Sequence, residues 1–313
     1  MTNILVTGGA GFIGSNMVRF LLERGYSVRV LDNFETGKQE NLAETIDQIE
    51  LIDGDIRDEA TAYKSASGMD TVLHLAALGS VPRSLKDPKT THDVNVTGTF
   101  NMLQASREAL IKRFILASSS SVYGQSEVLP QHEGLPLTPI SPYGASKAIG
   151  EVYCKAFYES YRLETICLRY YNVFGPRQDP NSQYAAAIPL FVSALLRDKS
   201  PTIFDDGEQT RGFTYIDNVL QANWLAATAK HTHGEAINIS TATAVSVNTV
   251  VNTIRELLGK KDIKPQYDPP RQGDIKHSLA DVSMAKDVIG YEPRISFAEG
   301  IRLAIDWYKE NLG

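Results

Sequence analysis

Short runs of aliphatic and β-branched residues alternate along this chain with longer stretches in which apolar positions recur every three or four residues. Residues 3–7, 27–31, 49–53, 71–75, 113–117 and 165–169 read as strands. Between the first two, Ile13, Met17, Phe20 and Leu21 share one face of an expected helix at spacings i, i+4, i+7 and i+8. Strands this short and apolar, interleaved with helices, predict a parallel sheet covered on both faces. From Tyr170 onward the regularity fades, and loops rich in Pro, Gly and Asp appear at 175–181, 205–212 and 267–274. The expected fold is α/β: a Rossmann-type doubly wound parallel sheet over residues 1–170 and a smaller α/β domain over 171–313. The second unit closes over the carboxyl ends of the strands, where open α/β sheets bind ligands, and part of 213–240 is free to pack back on the first.

Chemistry enters at the first strand-to-helix turn. Residues 7–15 read TGGAGFIGS, placing Gly8, Gly11 and Gly14 in a G-x-x-G-x-x-G pattern. Glycine lets the backbone turn tightly and approach a pyrophosphate, while the helix start offers free N–H groups and positive potential. Asp32 ends the second strand, 18 residues past Gly14. A carboxylate there accepts hydrogen bonds from adenosine ribose hydroxyls and repels a 2′-phosphate, which favours NAD over NADP. Asp55, after the third strand, is placed either to bind the adenine amino group or to cap the following helix.

Tyr143 and Lys147 lie four apart in Ser-Pro-Tyr-Gly-Ala-Ser-Lys at a helix start, so both side chains share one face. A free tyrosine, with a pKa of about 10, is a poor base at neutral pH. A neighbouring ammonium and a positively charged nicotinamide are expected to favour its phenolate. Serines 118–121 end the fifth strand, where a hydroxyl can pass a substrate proton to Tyr143.

Hydrophobic residues make up 42% and charged residues 22% of the 313, which excludes a disordered or collagen-like chain. No apolar run approaches the roughly 20 residues of a membrane helix, and no signal peptide is recognisable. Cys154 and Cys167 form no disulfide framework, so a cytoplasmic setting is expected. The net charge of −6 makes nucleic acid an improbable partner. His231-x-His233 lacks a third ligand, so no metal site is expected. His74 reads as structural, and the two cysteines as buried thiols.

With these motifs in hand, the chain resembles the extended short-chain dehydrogenase/reductases, specifically the UDP-hexose 4-epimerases. TGGAGFIGS, His74-Leu-Ala-Ala, Asn95-Val-Thr-Gly-Thr, SSSSVYG, SPYGASK, LRYYNVFGPRQDP, RGFTYIDNV and RQGD all occur in family order, over nearly the whole length. Among those enzymes it is most similar to bacterial UDP-N-acetylglucosamine 4-epimerases of surface-polysaccharide pathways. The resemblance implies Tyr143 as base, Lys147 as its partner and ribose anchor, and Ser119 in the proton path. It implies NAD contacts from Gly8, Gly11, Phe12, Ile13, Gly14, Asp32, Asn33, Gly37, Asp55, Ile56, Leu75, Ala76, Ala77, Asn95 and Tyr170. For the UDP-sugar it implies Ser80, Ser120, Ser121, Asn172 and Gln178, with Arg211 and Arg271 on the phosphates and Asp274 on the uridine ribose. Ser120 and Ser121 stand where related dehydratases carry Asp-Glu, which argues against elimination. Ser278, four past Asp274, occupies a position where tyrosine marks hexose-restricted relatives, so its small side chain implies acceptance of N-acetylated sugars. The helices around 96–110 and 143–161, carrying Met102, Leu103, Tyr153 and Phe157, are implied to pair with a second copy in a homodimer. A 4-epimerase of the corresponding UDP-N-acetylhexosaminuronic acids or of UDP-glucose and UDP-galactose, a net dehydrogenase and an NAD-sensing binding module remain as other readings; the last is disfavoured because Ser119, Tyr143 and Lys147 are all present.

Overall fold

The computed structural model describes residues 2–180, 186–270 and 275–312. Arg271 and Asp274 lie outside these. Six strands follow the sequence pattern: β1 (Asn3–Thr7), β2 (Ser27–Asp32), β3 (Ile49–Asp53), β4 (Thr71–His74), β5 (Arg113–Ser119) and β6 (Glu164–Tyr170). With the strand Glu235–Ile239 they form one sheet in the order Glu235–Ile239, β6, β5, β4, β1, β2, β3. Every pairing in it is parallel.

Side chains of a strand point alternately to the two faces, and the buried residues divide accordingly. Ile4, Val6, Ile115, Ala117, Ile166 and Leu168 enter one core, while Leu5, Phe114, Leu116 and Cys167 enter the other. Helix α1 (Phe12–Leu22) contributes Met17, Val18 and Leu21 to the first core. The opposite core takes residues from α2 (Glu59–Ala66) and, beyond the short α3 (Val81–Lys86) and α4 (Pro88–His92), from α5 (Gly98–Glu108) and α6 (Pro142–Tyr161). A π-helical turn, Asp93–Thr97, joins α4 to α5.

The chain crosses back after β6. Helix α7 (Ala187–Leu196) lies in the C-terminal part, but α8 (Ile216–Thr228) sends Val219, Leu220, Ala222 and Ala226 into the same core as α1. The strand Glu235–Ile239 then adds to the sheet beside β6. The remaining C-terminal elements are helices and three two-stranded pairs, among them Thr202–Phe204 with Gln266–Asp268 and Thr210–Arg211 with Val245–Ser246.

One expectation about the helices is corrected. Met102 and Leu103 are fully buried in the core between α5 and the sheet, so neither can meet a second chain. The apolar side chains left on the outer faces of α5 and α6 are Phe100, Ile149, Val152 and Tyr161. Phe100 packs at steep ring angles against Tyr153 and Phe157, with 5.3 and 6.0 Å between ring centres.

Candidate active site

The glycine turn forms a cradle that side chains would fill. Gly8 has φ +70°, and a Cβ on it would stand 2.7 Å from the Ala76 backbone nitrogen. A Cβ on Gly14 would overlap the Gly8 carbonyl oxygen outright. Gly11 is the N-cap of α1 and brings no side-chain partner to its first amides, as suits a helix start that meets an anion. Gly8, Gly11, Phe12, Ile13 and Gly14 line a groove of about 300 Å³ with Asp32, Asn33, Gly37, Asp55, Ile56, Leu75, Ala76 and Ala77. Glu35 and Thr36 also line it, and sequence reasoning missed both. Asp32 is held by the amides of Ala10 and Phe34, each at 2.8 Å, and burial raises its carboxyl pKa. Asp55 accepts a fork from Arg57 at 2.9 and 2.6 Å and a bond from Asn33 at 2.8 Å. The Arg57 bond is the main force holding its pKa down at about 2. The cap of α2 is Asp58, not Asp55, which leaves Asp55 as a groove residue. Glycine cradle, open helix start and strand-end carboxylate together fit the adenosine diphosphate half of NAD.

Next to the groove, α6 is capped by Ser141, whose Oγ accepts from the Gly144 amide at 3.1 Å, with Pro142 in the first turn. That start sets Tyr143 and Lys147 over the end of β5. The Lys147 ammonium donates to the Ala117 carbonyl at 2.9 Å and lies 5.9 Å from the Tyr143 ring centre. Burial lowers the Lys147 pKa to about 8. The chain's own groups leave the Tyr143 phenol above its ordinary pKa, contrary to the expected depression. Burial dominates there, and only the Ser119 hydroxyl works against it. Ser119 Oγ also donates to Ser121 Oγ at 3.0 Å and accepts from the Ser121 amide at 3.2 Å. Ser120 follows in a short 3-10 turn.

Asn95 sits in the π-helical turn. Its side-chain oxygen accepts from the Leu78 amide at 2.8 Å, and its nitrogen donates to Leu78 O and to Ser146 Oγ at 3.2 and 3.0 Å. It thereby ties α6 to Leu78, a groove-lining residue. Tyr170 directs its hydroxyl to Asn223 at 2.9 Å within the core, away from the groove lining. Ser80 Oγ caps α3 through the Arg83 amide at 3.2 Å.

A second cavity, of about 600 Å³, opens in the C-terminal part. Asn172, Gln178 and Arg211 line it together with apolar residues of α7 and Phe204. Arg211 Nη1 is anchored by the carbonyls of Thr210 and Lys276 at 2.9 and 3.2 Å. Gln178 donates to the Val173 carbonyl at 3.1 Å, while its buried Oε1 finds no partner among the described residues. A buried acceptor left open in a cavity wall suits a ligand donor. Ser278 is buried and its amide donates to Thr210 O at 3.1 Å, next in sequence to Arg211.

His74 bridges Thr7 and Thr99 at 2.8 and 3.0 Å, and burial drops its pKa to about 3, so it is a neutral structural residue. Cys154 and Cys167 are free and buried. Among the described residues no cluster could hold a metal ion and no helix is long and apolar enough to cross a membrane.

A parallel sheet with a glycine cradle at its first turn, and a Ser-Tyr-Lys set at the end of its fifth strand, defines an NAD-dependent enzyme of the short-chain dehydrogenase/reductase class. Residues 5–304 match the family model described as GDP-mannose 4,6 dehydratase. The UDP-N-acetylglucosamine 4-epimerase of Methanobrevibacter ruminantium, solved with UDP-N-acetylmuramic acid, is 41% identical, with a TM-score of 0.94 over 99% of this chain and 98% of that one. The UDP-glucose 4-epimerase of Thermotoga maritima, solved with UDP-glucose, is 38% identical, with a TM-score of 0.95 over the whole of both chains. That of Thermus thermophilus, solved with NAD, is 33% identical, with a TM-score of 0.90 over 99% of this chain and 100% of that one. The chain belongs to this family, among its extended UDP-hexose 4-epimerases.

Proposed function

We propose that this protein interconverts UDP-N-acetylglucosamine and UDP-N-acetylgalactosamine by inverting carbon 4. The observation that carries the choice of sugar is Ser278, a small buried side chain beside the strand that bears Arg211. An acetamido group needs room that a ring at this position would fill, and packed pockets do not relieve an overlap of several heavy atoms. The similarity to a UDP-N-acetylglucosamine 4-epimerase supports the same reading.

In this account, Gly8, Gly11, Gly14 and Asp32 hold the adenosine diphosphate half of NAD. When bound, NAD supplies a reversible hydride acceptor at carbon 4, so the cofactor is regenerated in each cycle. Tyr143 takes the 4-hydroxyl proton, directly or through Ser119, and returns it to the 4-keto oxygen once the sugar has turned its other face toward the hydride. Lys147 supplies the positive charge that favours phenolate. Arg211, with Arg271, neutralises the diphosphate through guanidinium forks; Asp274 binds the uridine ribose, and Asn172 and Gln178 the nucleotide end. A tight nucleotide end and a loose sugar end let the keto sugar turn over without leaving. Ser119 and Ser121 bond to each other, and serines stand at 120 and 121 where related dehydratases carry Asp-Glu, so neither position offers an acid to drive elimination. The outer faces of α5 and α6 pair with a second copy around a twofold axis, through Phe100, Ile149, Val152 and Tyr161.

Two measurements test this. Tyr143→Phe is expected to abolish turnover while leaving NAD bound; substantial residual activity overturns the assignment of the base. Over a panel of UDP-sugars, kcat/KM is expected to be highest for the N-acetylated pair. Higher values for UDP-glucose and UDP-galactose, or for the 6-carboxylate sugars alone, overturn the choice of substrate.

A further inference from the structure

A carboxylate outside the Ser-Tyr-Lys set lies beneath it. Glu151 stands one helical turn past Lys147 on α6, and its side chain is 5% exposed. It accepts a hydrogen bond from Ser118 Oγ and a fork from Arg169 at 2.9 and 2.7 Å. Arg169 in turn donates to the Tyr123 hydroxyl at 2.6 Å, and that hydroxyl donates to Asn238 at 2.8 Å. Ser118 and Arg169 are register partners across β5 and β6. Three successive residues of β5 therefore meet three successive turns of α6: Ser119 meets Tyr143, Ala117 meets Lys147, and Ser118 meets Glu151.

We propose that Glu151 is a positioning residue of the reaction: its buried carboxylate clamps α6 to β5 and β6 and so fixes Tyr143 and Lys147 over the serine edge. This rests on Tyr143 and Lys147 acting as described above. A buried ion pair contributes little net stability compared with apolar residues of the same shape, which leaves its cost unexplained unless it specifies geometry. A positional error of about 1 Å at a reacting centre costs about a hundredfold in rate.

Glu151 also bears on the charge of Lys147. The titratable and charged groups around that ammonium are Tyr143 and Glu151 on α6, His74 on β4, and Cys167 and Arg169 on β6; β5 offers a carbonyl and hydroxyls. His74 and Cys167 are held neutral by burial, so Glu151 is the anion that favours the ammonium among the described residues.

The test compares Glu151→Gln, Glu151→Asp and the double variant Glu151→Gln/Arg169→Met, each in the NAD-loaded enzyme. The double variant removes both buried charges, so it does not strand the guanidinium if the single change fails to fold. Glu151→Gln and the double variant are expected to lower kcat about tenfold or more with KM within about twofold of the parent, and Glu151→Gln, which removes the anion alone, to move the basic limb of the kcat–pH profile down by about one pH unit. Glu151→Asp is expected to keep the limb where the parent has it. A folded double variant with parent kcat overturns the proposal, and so does lost kcat with an unmoved limb in Glu151→Gln, which marks a merely structural pair. Parent-like turnover in Tyr143→Phe instead overturns the site assignment on which the proposal stands.

Discussion

Replacing Lys147 by methionine is expected to make the cofactor-free protein more stable while removing its activity. The lysine is fully buried against Ala117, and its pKa falls from an ordinary 10.5 to about 8 because burial penalises the ammonium. At ~1.4 kcal/mol per pH unit, keeping the charge inside the fold costs about 3 kcal/mol at neutral pH. Losing the hydrogen bond to Ala117 O offsets about 1 kcal/mol, so the variant gains about 2 kcal/mol, or about 4 °C in Tm. The sign with pH follows from the lowered pKa. Below pH 8 both folded and unfolded chains carry the proton, and the full cost is present. Between 8 and 10.5 the folded lysine is neutral while the unfolded one still binds its proton, so the parent gains stability as pH rises. At about pH 9.5 the remaining cost is about 1 kcal/mol, and the advantage of the variant disappears. Thermal melts of cofactor-free parent and Lys147→Met at pH 7 and about 9.5, with turnover measured alongside, check this. A variant no more stable at pH 7, or a difference independent of pH, refutes the reasoning that a charge is buried here for catalysis.

Ser278→Tyr is expected to lose the N-acetylated substrates while keeping UDP-glucose and UDP-galactose; parent-rate epimerisation of UDP-N-acetylglucosamine by the variant removes Ser278 as the gate. Gly14→Ala drives a Cβ into the Gly8 carbonyl and within 2.7 Å of the Gly9 Cα, so the turn must open and NAD affinity fall at least about a hundredfold, read by isothermal titration. Val152→Glu places a charge on the 64%-exposed valine of the outer α6 face and is expected to turn a dimer into a monomer by light scattering; a parent protein monomeric at micromolar concentration contradicts the paired-helix interface.

The sheet was legible because strands buried on both faces are continuous apolar runs; β1 and β3 have the expected ends, and β2, β4 and β6 differ by only a residue or two. The fifth strand runs two residues beyond its apolar stretch because Ser118 and Ser119 continue the ladder with β6 as polar residues. The strand Glu235–Ile239 was not legible. Its Asn238 looks like a turn residue, yet its side-chain Nδ2 donates to the Gln131 and Asp281 carbonyls in the interior. The resemblance implied a paired-helix interface without telling which side chains of α5 face outward, and Met102 and Leu103 point into the core. Glu151 resembles an ordinary helix-surface charge until β6 supplies Arg169. The glycine cradle and the Tyr143–Lys147 pair were readable because their spacing is local. Asn172, Gln178 and Arg211 of the second cavity came from the resemblance, but its α7 wall was not readable, since the apolar residues of that helix have the pattern of any core helix.

The most direct test of the central claim is to incubate the NAD-loaded protein with UDP-N-acetylglucosamine and no added cofactor, following reduced nicotinamide by absorbance and the sugar by chromatography. The account predicts conversion to an equilibrium mixture with UDP-N-acetylgalactosamine and no net reduced nicotinamide. Stoichiometric reduced nicotinamide, or bound NAD with an unchanged sugar, would contradict it.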